Sequence, residues 1–319
     1  MGKIIMTGVD GNLGGHALET ILPLVAKEDL ILTTPNPAAV EAFKAQGFDA
    51  RLANYLDPEQ LKEAFAGGET MFLVSLPQVG KKRRVMHTNA LVAARDAGVQ
   101  KVAYTSQTGA QLLANAGYEI ADHRYTEYLI MALGFDYAFL RNSQYAEAMI
   151  AAVETAAKGP GVIRNNMGDG QMAHVARRDC AEAAAFATAK LAAGEISHAE
   201  YFISGPKLRT IAEFIELVAP AFGAEVKYEY VTDEENFAEF DAMGIPRETD
   251  GEWLTEEAKN SPFCSQGMVT YGTAIRLGQM NSCTDDFTKL TGKPGTTLEE
   301  MVADIANFGI GERHAVDEK

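Results

Sequence analysis

A short apolar run, Ile4-Ile5-Met6, leads directly into Thr7-Gly8-Val9-Asp10-Gly11-Asn12-Leu13-Gly14-Gly15, and this spacing constrains the chain more than anything after it. The run reads as a strand buried on both faces, and the amphipathic stretch 13–25 reads as a helix. A strand, a glycine turn and a helix at this spacing form a cradle for an anion. Gly8 lets the chain reverse tightly, Gly11 lets the backbone approach a phosphate, and Gly14 lets the helix pack on the strand. The first amides of the helix have no partners within it and face the anion. The ligand implied is the pyrophosphate of a dinucleotide, held by Gly8, Asp10, Gly11, Asn12, Leu13 and Gly14.

The pattern then repeats. Leu30-Ile31-Leu32-Thr33-Thr34 predicts a second strand, Pro35-Asn36-Pro37 a turn, and 38–46 a helix. Strands are expected over 49–53, 70–74 and 101–106, with helices over 58–66 and 82–97. Strand and helix alternate five times before residue 110, which requires a parallel sheet with right-handed crossovers and helices on both faces. Ligands in such sheets lie beyond the carboxyl ends of the strands, here Gly8, Thr34, Ser75 with Leu76, and Ser106. At the end of the second strand a carboxylate would meet ribose hydroxyls and an arginine a 2'-phosphate. Thr33, Thr34 and Asn36 are neutral, and Arg51 is the nearest fixed positive charge, so NAD(H) and NADP(H) both stay open.

A helix over 117–133, a strand over 136–140 ending in Arg141-Asn142-Ser143-Gln144-Tyr145, and a helix over 146–157 follow, before Gly159-Pro160-Gly161 loosens the order. Residues 162–164 read as a strand, 165–170 as a loop, 178–191 as a helix and 200–204 as a strand returning to the sheet. Past Gly205 the periodicity turns helical. Thr210 and Glu213 are spaced for a capping box, a strand is expected over 225–231, and helices over 232–243, 252–259, 284–291 and 297–306. Residues 261–281 fit either a cover over the substrate or a helical excursion. The fold class is α/β, a doubly wound parallel sheet. Residues 1–205 form its dinucleotide domain and 206–319 a smaller α+β substrate lobe, with 150–170 assignable to either.

Composition narrows the partners. A net charge of −16 leaves no basic surplus to displace counterions from nucleic-acid phosphates. The one basic run, Lys81-Lys82-Arg83-Arg84, reads as the solvated start of a helix. No run of about 18 apolar residues occurs, and Lys3 is followed at once by a strand rather than a cleavable segment, so a cytoplasmic protein without membrane association is expected. Three cysteines, Cys180, Cys264 and Cys283, are too scattered for a disulfide framework or a metal site, and no metal is expected. Cys180, in an alanine-rich helix, reads as core.

Further along, the chain carries Asn36-Pro37, Ala53-Asn54-Tyr55, Ala97-Gly98-Val99 before Tyr104-Thr105-Ser106, and Ala121-Asp122-His123-Arg124-Tyr125-Thr126-Glu127. Leu140-Arg141-Asn142, Gly168-Asp169-Gly170, and Asp285-Asp286 with Thr296-Thr297-Leu298 complete the set. In this order it resembles the NmrA-like, atypical branch of the short-chain dehydrogenase/reductase superfamily, and within it the type 2 quinone oxidoreductase group. The resemblance spans nearly the whole chain. It implies a Rossmann domain holding NAD(P)H, a small C-terminal domain closing the substrate cleft, and hydride transfer to a quinone, enone or carbonyl compound. On the strand ends identified above, the adenosine falls to Thr34, Asn36 and Asn54, and the nicotinamide to Ser75, Leu76, Ser106 and His123. The substrate lies between the nicotinamide and the C-terminal lobe, with Gln107, Asn142, Gln144 and Tyr145 as its candidate contacts. Arg141 fits either a substrate contact or an ion pair with Glu127 or Asp122.

Departures from that family's pattern set this chain apart. Relatives that favour NADPH often carry Arg before the Asn-Pro pair, where this chain has Pro35, and an Asp commonly meets adenine where this chain has Asn54. The superfamily's usual proton relay uses a Ser after the fifth strand and Tyr-x-x-x-Lys on the next helix, with Glu four residues beyond the Lys. Counting back from Glu127 places Glu119 at the Tyr position and His123 at the Lys position, with Ser106 retained. Tyr118 is one residue out of register, about 100 degrees round the helix. The candidate catalytic residues are therefore His123, Ser106 and Tyr118, His123 being able to hydrogen-bond ribose or substrate in either protonation state. Quinone reduction tolerates the lost relay: its anionic product is stabilised and water can protonate it, whereas the alkoxide of a simple ketone needs a positioned acid. A non-catalytic NAD(P)-sensing protein, or an isomerase or lyase using bound NAD transiently, fits the same residues. The partner expected is a small-molecule substrate; a homodimer is left open.

Overall fold

The computed structural model describes residues 2–114, 117–261 and 263–308. The chain alternates β1 (Lys3–Thr7), α1 (Asn12–Ile21), β2 (Leu30–Thr34), α2 (Pro37–Ala45), β3 (Asp49–Leu52), α3 (Pro58–Phe65), β4 (Gly68–Leu73), α4 (Lys81–Asp96), β5 (Lys101–Gln107), α5 (Tyr118–Ala132) and β6 (Asp136–Asn142). Then come α6 (Ala146–Lys158), β7 (Val162–Asn165), β8 (Gln171–Met172), α7 (Arg177–Ala193) and β9 (Ala199–Ile203). Seven of these strands pair in parallel in the order β3-β2-β1-β4-β5-β6-β9. The order reverses between β1 and β4, which opens a crevice beyond their carboxyl ends.

Helices on both faces bury the sheet completely, so its central strands are continuous apolar runs rather than alternating ones. On one face Leu18, Ile21, Leu32 and Phe43 pack with the alanines of α7; on the other, Leu61, Phe65, Leu91, Tyr104, Ile130 and Phe139 form a second core. The small residues Ala181, Ala184 and Ala187 let α7 lie directly on the sheet and beside α1.

The remaining elements are β10 (Arg209–Thr210), α8 (Ile211–Val218), β11 (Lys227–Tyr230), α9 (Asp233–Ala242), α10 (Glu256–Lys259), α11 (Ser265–Arg276), α12 (Asp286–Thr291) and α13 (Leu298–Ala303). Thr210 and Glu213 make the expected capping box, and the same device opens α9 and α13. Two short pairings escape the sequence pattern: β7 runs parallel to β11, and β8 pairs antiparallel with β10. β7 and β11 answer the strands expected over 162–164 and 225–231, though not their pairing; β8 and β10, at two residues each, carry too little periodicity to read. α12 packs back on α7 and β9.

Several helices are shorter than their periodicity suggested. α1 stops at Ile21 rather than residue 25 because Pro23 has no amide to continue it. α10 starts at Glu256 rather than 252 because the Thr255 side chain caps it, accepting from the Ala258 amide at 3.2 Å. α13 gives way to a 3-10 turn after Ala303. Among the described residues no helix is long and apolar enough to cross a membrane.

Candidate active site

The turn after β1 is built from backbone. Gly8 takes φ +61°, its amide donates to the Thr33 carbonyl at 3.0 Å, and its own carbonyl accepts from the Gly11 amide at 3.0 Å. A Cβ on Gly14 would strike the Gly8 carbonyl group, 2.6 Å from its carbon. Gly11 occupies the cap position of α1, where no side chain satisfies the first amides and no acid sits in the first turn. In α2 and α3, by contrast, Asn36 and Asp57 accept from those amides. The N-terminus of α1 is thus kept open for an anion.

Above the turn lies a cavity of 450 Å³, walled by Gly8, Asp10, Gly11, Thr34, Pro35, Asn36, Ala53, Asn54, Tyr55, Ser75, Leu76 and Met86. Its polar side chains are largely committed. Asn36 Oδ1 caps α2, and Asn54 Oδ1 accepts from the Leu56 amide at 3.0 Å. Arg51 is turned to other work: its guanidinium donates to both Asp49 oxygens at 2.8 Å and to the Ala64 and Ala66 carbonyls at 3.0 and 2.7 Å. None of the walls described is a lysine or arginine.

A second cavity of 380 Å³ shares Val74, Ser75, Leu76 and Pro77 with the first, so the two are halves of one cleft crossing the crevice between β1 and β4. Its further walls include Asn12, Leu13, Arg83, Ser106, Gln107, Glu119, His123, Asn142, Ser143, Gln144, Tyr145 and Arg177. The shared segment is held by side chains once β4 has ended. Thr7 Oγ1 accepts from the Val74 amide at 3.0 Å, Thr105 Oγ1 from Ser75 at 2.8 Å, and His87 Nε2 from Leu76 at 3.2 Å.

Hydrogen bonding fixes the protonation of both buried histidines. Arginine can only donate, so His123 Nε2 accepts from Arg83 Nη1 at 3.2 Å and the ring proton sits on Nδ1, 2.9 Å from the Tyr104 hydroxyl. Burial first, then Arg83 and His87, drive the His123 pKa well below its ordinary value. His87, with Nδ1 2.9 Å from Thr126 Oγ1, is pushed down to about 3 by burial and Arg83. Both rings are neutral at pH 7. Asp122 accepts from the Gly80 amide at 2.6 Å and from Arg84; burial lifts its pKa to about 6 against Arg83, the Gly80 amide and Arg84, and it stays ionised at neutral pH.

Beneath the cleft, Arg141 forks onto Glu127 at 2.9 and 2.8 Å and reaches Glu200 at 2.6 Å. Ser106 Oγ donates to the same Glu127 carboxylate. The residues that wall the second cavity behave differently. Arg83 Nε, Gln107 Oε1, both amide atoms of Asn142, Ser143 Oγ and Gln144 Oε1 are buried without a hydrogen-bond partner among the described residues. Such atoms are rare in folded proteins, and each calls for an explanation, a bound group among them; Gln78, Tyr118, His174 and Ser265 carry others away from this cavity.

A glycine cradle, an open helix N-terminus and a cleft at the strand-order reversal are what a dinucleotide requires, and the family model described as NAD(P)H-binding matches residues 8–189. The chain belongs to this NAD(P)H-binding family. Quinone oxidoreductase 2 of Escherichia coli strain K12 is 30% identical over 305 residues, covering 95% of this chain and 99% of its own length. The crystal structure of the NADPH-dependent quinone oxidoreductase QOR2 from Escherichia coli, complexed with NADPH, superposes with TM-score 0.81 at 28% identity over 95% of this chain and 100% of that one. Triphenylmethane reductase of Citrobacter sp., complexed with NADP(H), gives TM-score 0.78 at 28% identity over 95% and 99%.

Within this family frame the candidate residues separate. Gly8, Asp10, Gly11, Thr34, Asn36 and Asn54 wall the first cavity; Asn12, Leu13, Ser106, Gln107, His123, Asn142, Gln144 and Tyr145 wall the second; Ser75 and Leu76 wall both. Gly14 lies beneath, against the Gly8 carbonyl. Tyr118 is not brought to the cleft: its hydroxyl lies among Gly80, Thr249 and Asp250, and burial raises its pKa. Ser106 faces the cleft but directs its proton to Glu127. Arg141 resolves as the ion-pair partner of Glu127.

The cleft's position also differs from expectation, since the walls described come from no residue beyond Arg177. The later chain reaches it indirectly, through the Tyr271 hydroxyl that accepts from Gln107 Nε2 at 3.2 Å. Segment 261–281 places α11 against α5 and α9. Cys264 is buried as the cap of α11, and burial raises its pKa.

The sequence reading missed Arg83. Expected in a solvated helix start, it is 6% exposed, and its neighbour Arg84 bonds Asp122 and Asp250. A signal was present: Arg83, His87, Ala90, Leu91 and Ala94 share one face of α4 at helical spacing, and that face is buried.

Proposed function

We propose that this chain passes hydride from NADH, in preference to NADPH, to a quinone or a comparably conjugated carbonyl acceptor. The observation that carries the reading is the set of buried, unpartnered polar atoms on Gln107, Asn142, Ser143 and Gln144, confined to one half of a cleft whose other half has its polar groups already committed. A protein that only senses a dinucleotide gains nothing from a second polar chamber beyond it.

The Gly8–Gly14 turn and the open end of α1 suit the pyrophosphate, and Thr34, Asn36 and Asn54 the adenosine. Ser75, Leu76 and His123 border the nicotinamide, with Asn142 and Gln144 supplying donors and acceptors for its carboxamide and for the acceptor. The bound cofactor supplies the hydride, and the chain orients the partners. Neither His123 nor Ser106 is free to act as the acid, because the Nδ1 proton of His123 lies against Tyr104 and that of Ser106 against Glu127. An acceptor whose reduced form is a stabilised anion fits such a site, and a simple ketone does not.

The preference for NADH rests on charge. A 2'-phosphate brings roughly −1.5 to −2 charges at pH 7, and the adenosine walls described offer it no cation once Arg51 is bound to Asp49. The chain's net charge of −16 adds general repulsion. The chemistry so read needs no second copy of the chain, and its dependence on a nicotinamide nucleotide suits a cytoplasmic location.

The test is to follow NADH and NADPH oxidation with a panel of quinones and simple ketones. The expected result is turnover with quinones, faster with NADH, and none with ketones. Tight NADH binding without turnover on any acceptor would instead make the protein a nucleotide sensor.

A further inference from the structure

We propose that Arg83 is a catalytic residue of this site: its guanidinium meets the acceptor oxygen on which negative charge collects after hydride transfer, and holds that anion until solvent protonates it. The proposal rests on the hydride-transfer reading above and names the group that replaces the missing tyrosine acid.

Arg83 is only 6% exposed, yet it is poorly used by the protein. A guanidinium carries five N–H donors. Among the described residues it makes one hydrogen bond, Nη1 to His123 Nε2 at 3.2 Å; its Nε is buried without a partner, and its Nη1 stands 4.0 Å from Asp122 Oδ2. Asp122 draws on its charge at 4.0 Å but takes its hydrogen bonds from the Gly80 amide and Arg84. Adjacent in sequence, the two arginines are divided in labour: Arg84 pins α4 to Asp122 and Asp250, and Arg83 lines the cleft beside His123, Ser106, Asn142 and Gln144. A buried cation with unspent donors is costly to keep unless a ligand completes it.

The chemistry balances without any further reagent. Hydride from the dihydronicotinamide C–H bond forms an O–H bond at one quinone oxygen, the ring π electrons shift, and a lone pair settles on the opposite oxygen. That oxygen is the one Arg83 meets. One proton from water then completes the hydroquinone, so NADH, quinone and H⁺ give NAD⁺ and hydroquinone. A planar, permanently charged fork suits a delocalised phenolate oxygen, which it stabilises without having to give up a proton. A ketone alkoxide, far more basic, is not rescued by charge alone. The acceptor class that follows is quinones and similar conjugated carbonyls.

The experiment compares the wild type with Arg83→Met, Arg83→Gln and Arg83→Lys. NADH affinity is measured by cofactor fluorescence, kcat and KM over quinones whose hydroquinones span a range of acidity, and rescue by millimolar guanidinium ion. Arg83→Met is expected to lower kcat by about 100-fold or more while NADH affinity changes by less than about threefold. The loss should be steepest for the least acidic hydroquinones and partly restored by guanidinium. Arg83→Lys, which keeps the charge and loses the fork, should fall between. If Arg83→Met fails to fold, the same contrast is read from the Gln and Lys variants. A kcat within about threefold of wild type in the Met or Gln variant overturns the proposal. So does an equal loss across all quinones with no guanidinium rescue, the pattern of a merely structural arginine. A wild type that binds NADH but reduces no quinone fails one step earlier, and takes the hydride-transfer reading down with this one.

Discussion

The two halves of the cleft bind by opposite means. The adenosine half is shaped by backbone: a glycine turn, an uncapped helix, and side chains such as Asn36 and Asn54 that already accept from neighbouring amides. None of the unpartnered buried atoms described lies on its walls. The reacting half is the reverse, with Arg83, Gln107, Asn142, Ser143 and Gln144 all carrying polar atoms that the protein leaves unsatisfied. A ligand moiety that never changes can be met by shape, which tolerates no added atom. A reacting group that changes charge must be met by polar atoms held in reserve, and these need a stiff foundation.

That foundation is the place to strike hardest. Glu127 and Arg141 are both nearly inaccessible and bound fork to fork, with Ser106 attached. Arg141→Met leaves a buried carboxylate without its cation and is expected to cost about 3–5 kcal/mol, whereas the double replacement of Glu127 and Arg141 by methionine recovers most of it. Urea unfolding measures both. A loss below about 1 kcal/mol in the single variant would mean that the pair does not support the reacting half as described.

Next in size is a test of shape at the other half. Gly14→Val places carbon against the Gly8 carbonyl group, backbone against which nothing can rotate away. The helix must lift from the turn, and NADH affinity is expected to fall by roughly 100-fold. Gly11→Ala, whose Cβ would sit 3.4 Å from the Gly8 oxygen, should be several-fold milder. Equal effects from the two would contradict a cradle closed by Gly14.

The same contrast explains what could be read beforehand. The adenosine half is written in contiguous residues: three glycines at fixed spacing, a buried strand and a helix lie within fifteen positions, and the sheet follows from repetition of that unit. The reacting half is assembled from β4, α4, β5, α5 and β6 across residues 74 to 145, and its decisive relations are between distant side chains. Glu127 and Arg141 could be paired only as one alternative among others. Tyr118, one residue out of register by count, stood as a substitute acid, but α5 turns it toward Gly80 and Asp250. Arg83 was hidden by its neighbours, because Lys81 and Lys82 make a basic run look solvated although Arg83 sits on the buried face of α4.

Cofactor choice gives a medium-sized test of the neutral adenosine half. Pro35→Arg restores a cation beside the Asn36-Pro37 pair at the cavity wall. A charge-assisted hydrogen bond is worth about 1.5–3 kcal/mol, so the NADPH-to-NADH ratio of kcat/KM should rise about 10- to 100-fold. Wild-type preference for NADPH would show that a phosphate is accommodated there without a cation.

The smallest effect concerns protons, and it belongs to the reacting half alone. His87 titrates near 3 in the folded chain and His123 well below its ordinary value, both mainly through burial, whereas an unfolded histidine titrates near 6.5. Below about pH 6.5 the unfolded chain therefore binds protons that the folded chain refuses, and each ring removes about 1.4 kcal/mol of stability per pH unit. Above that pH neither contributes a slope. Asp122 works in the other direction: its folded pKa, raised to about 6 from 3.8, makes the folded chain the better proton acceptor over that interval. His87→Gln keeps an acceptor for the Leu76 amide and cannot titrate, so urea midpoints taken from pH 6.5 down to 4.5 should slope less steeply by about 1.4 kcal/mol per unit. Pro35→Arg, at the adenosine half, should leave the slope unchanged. An unaltered slope in His87→Gln would mean that this ring takes up its proton as readily in the fold as in the unfolded chain, and that Nε2 does not hold Leu76 at the wall both halves share.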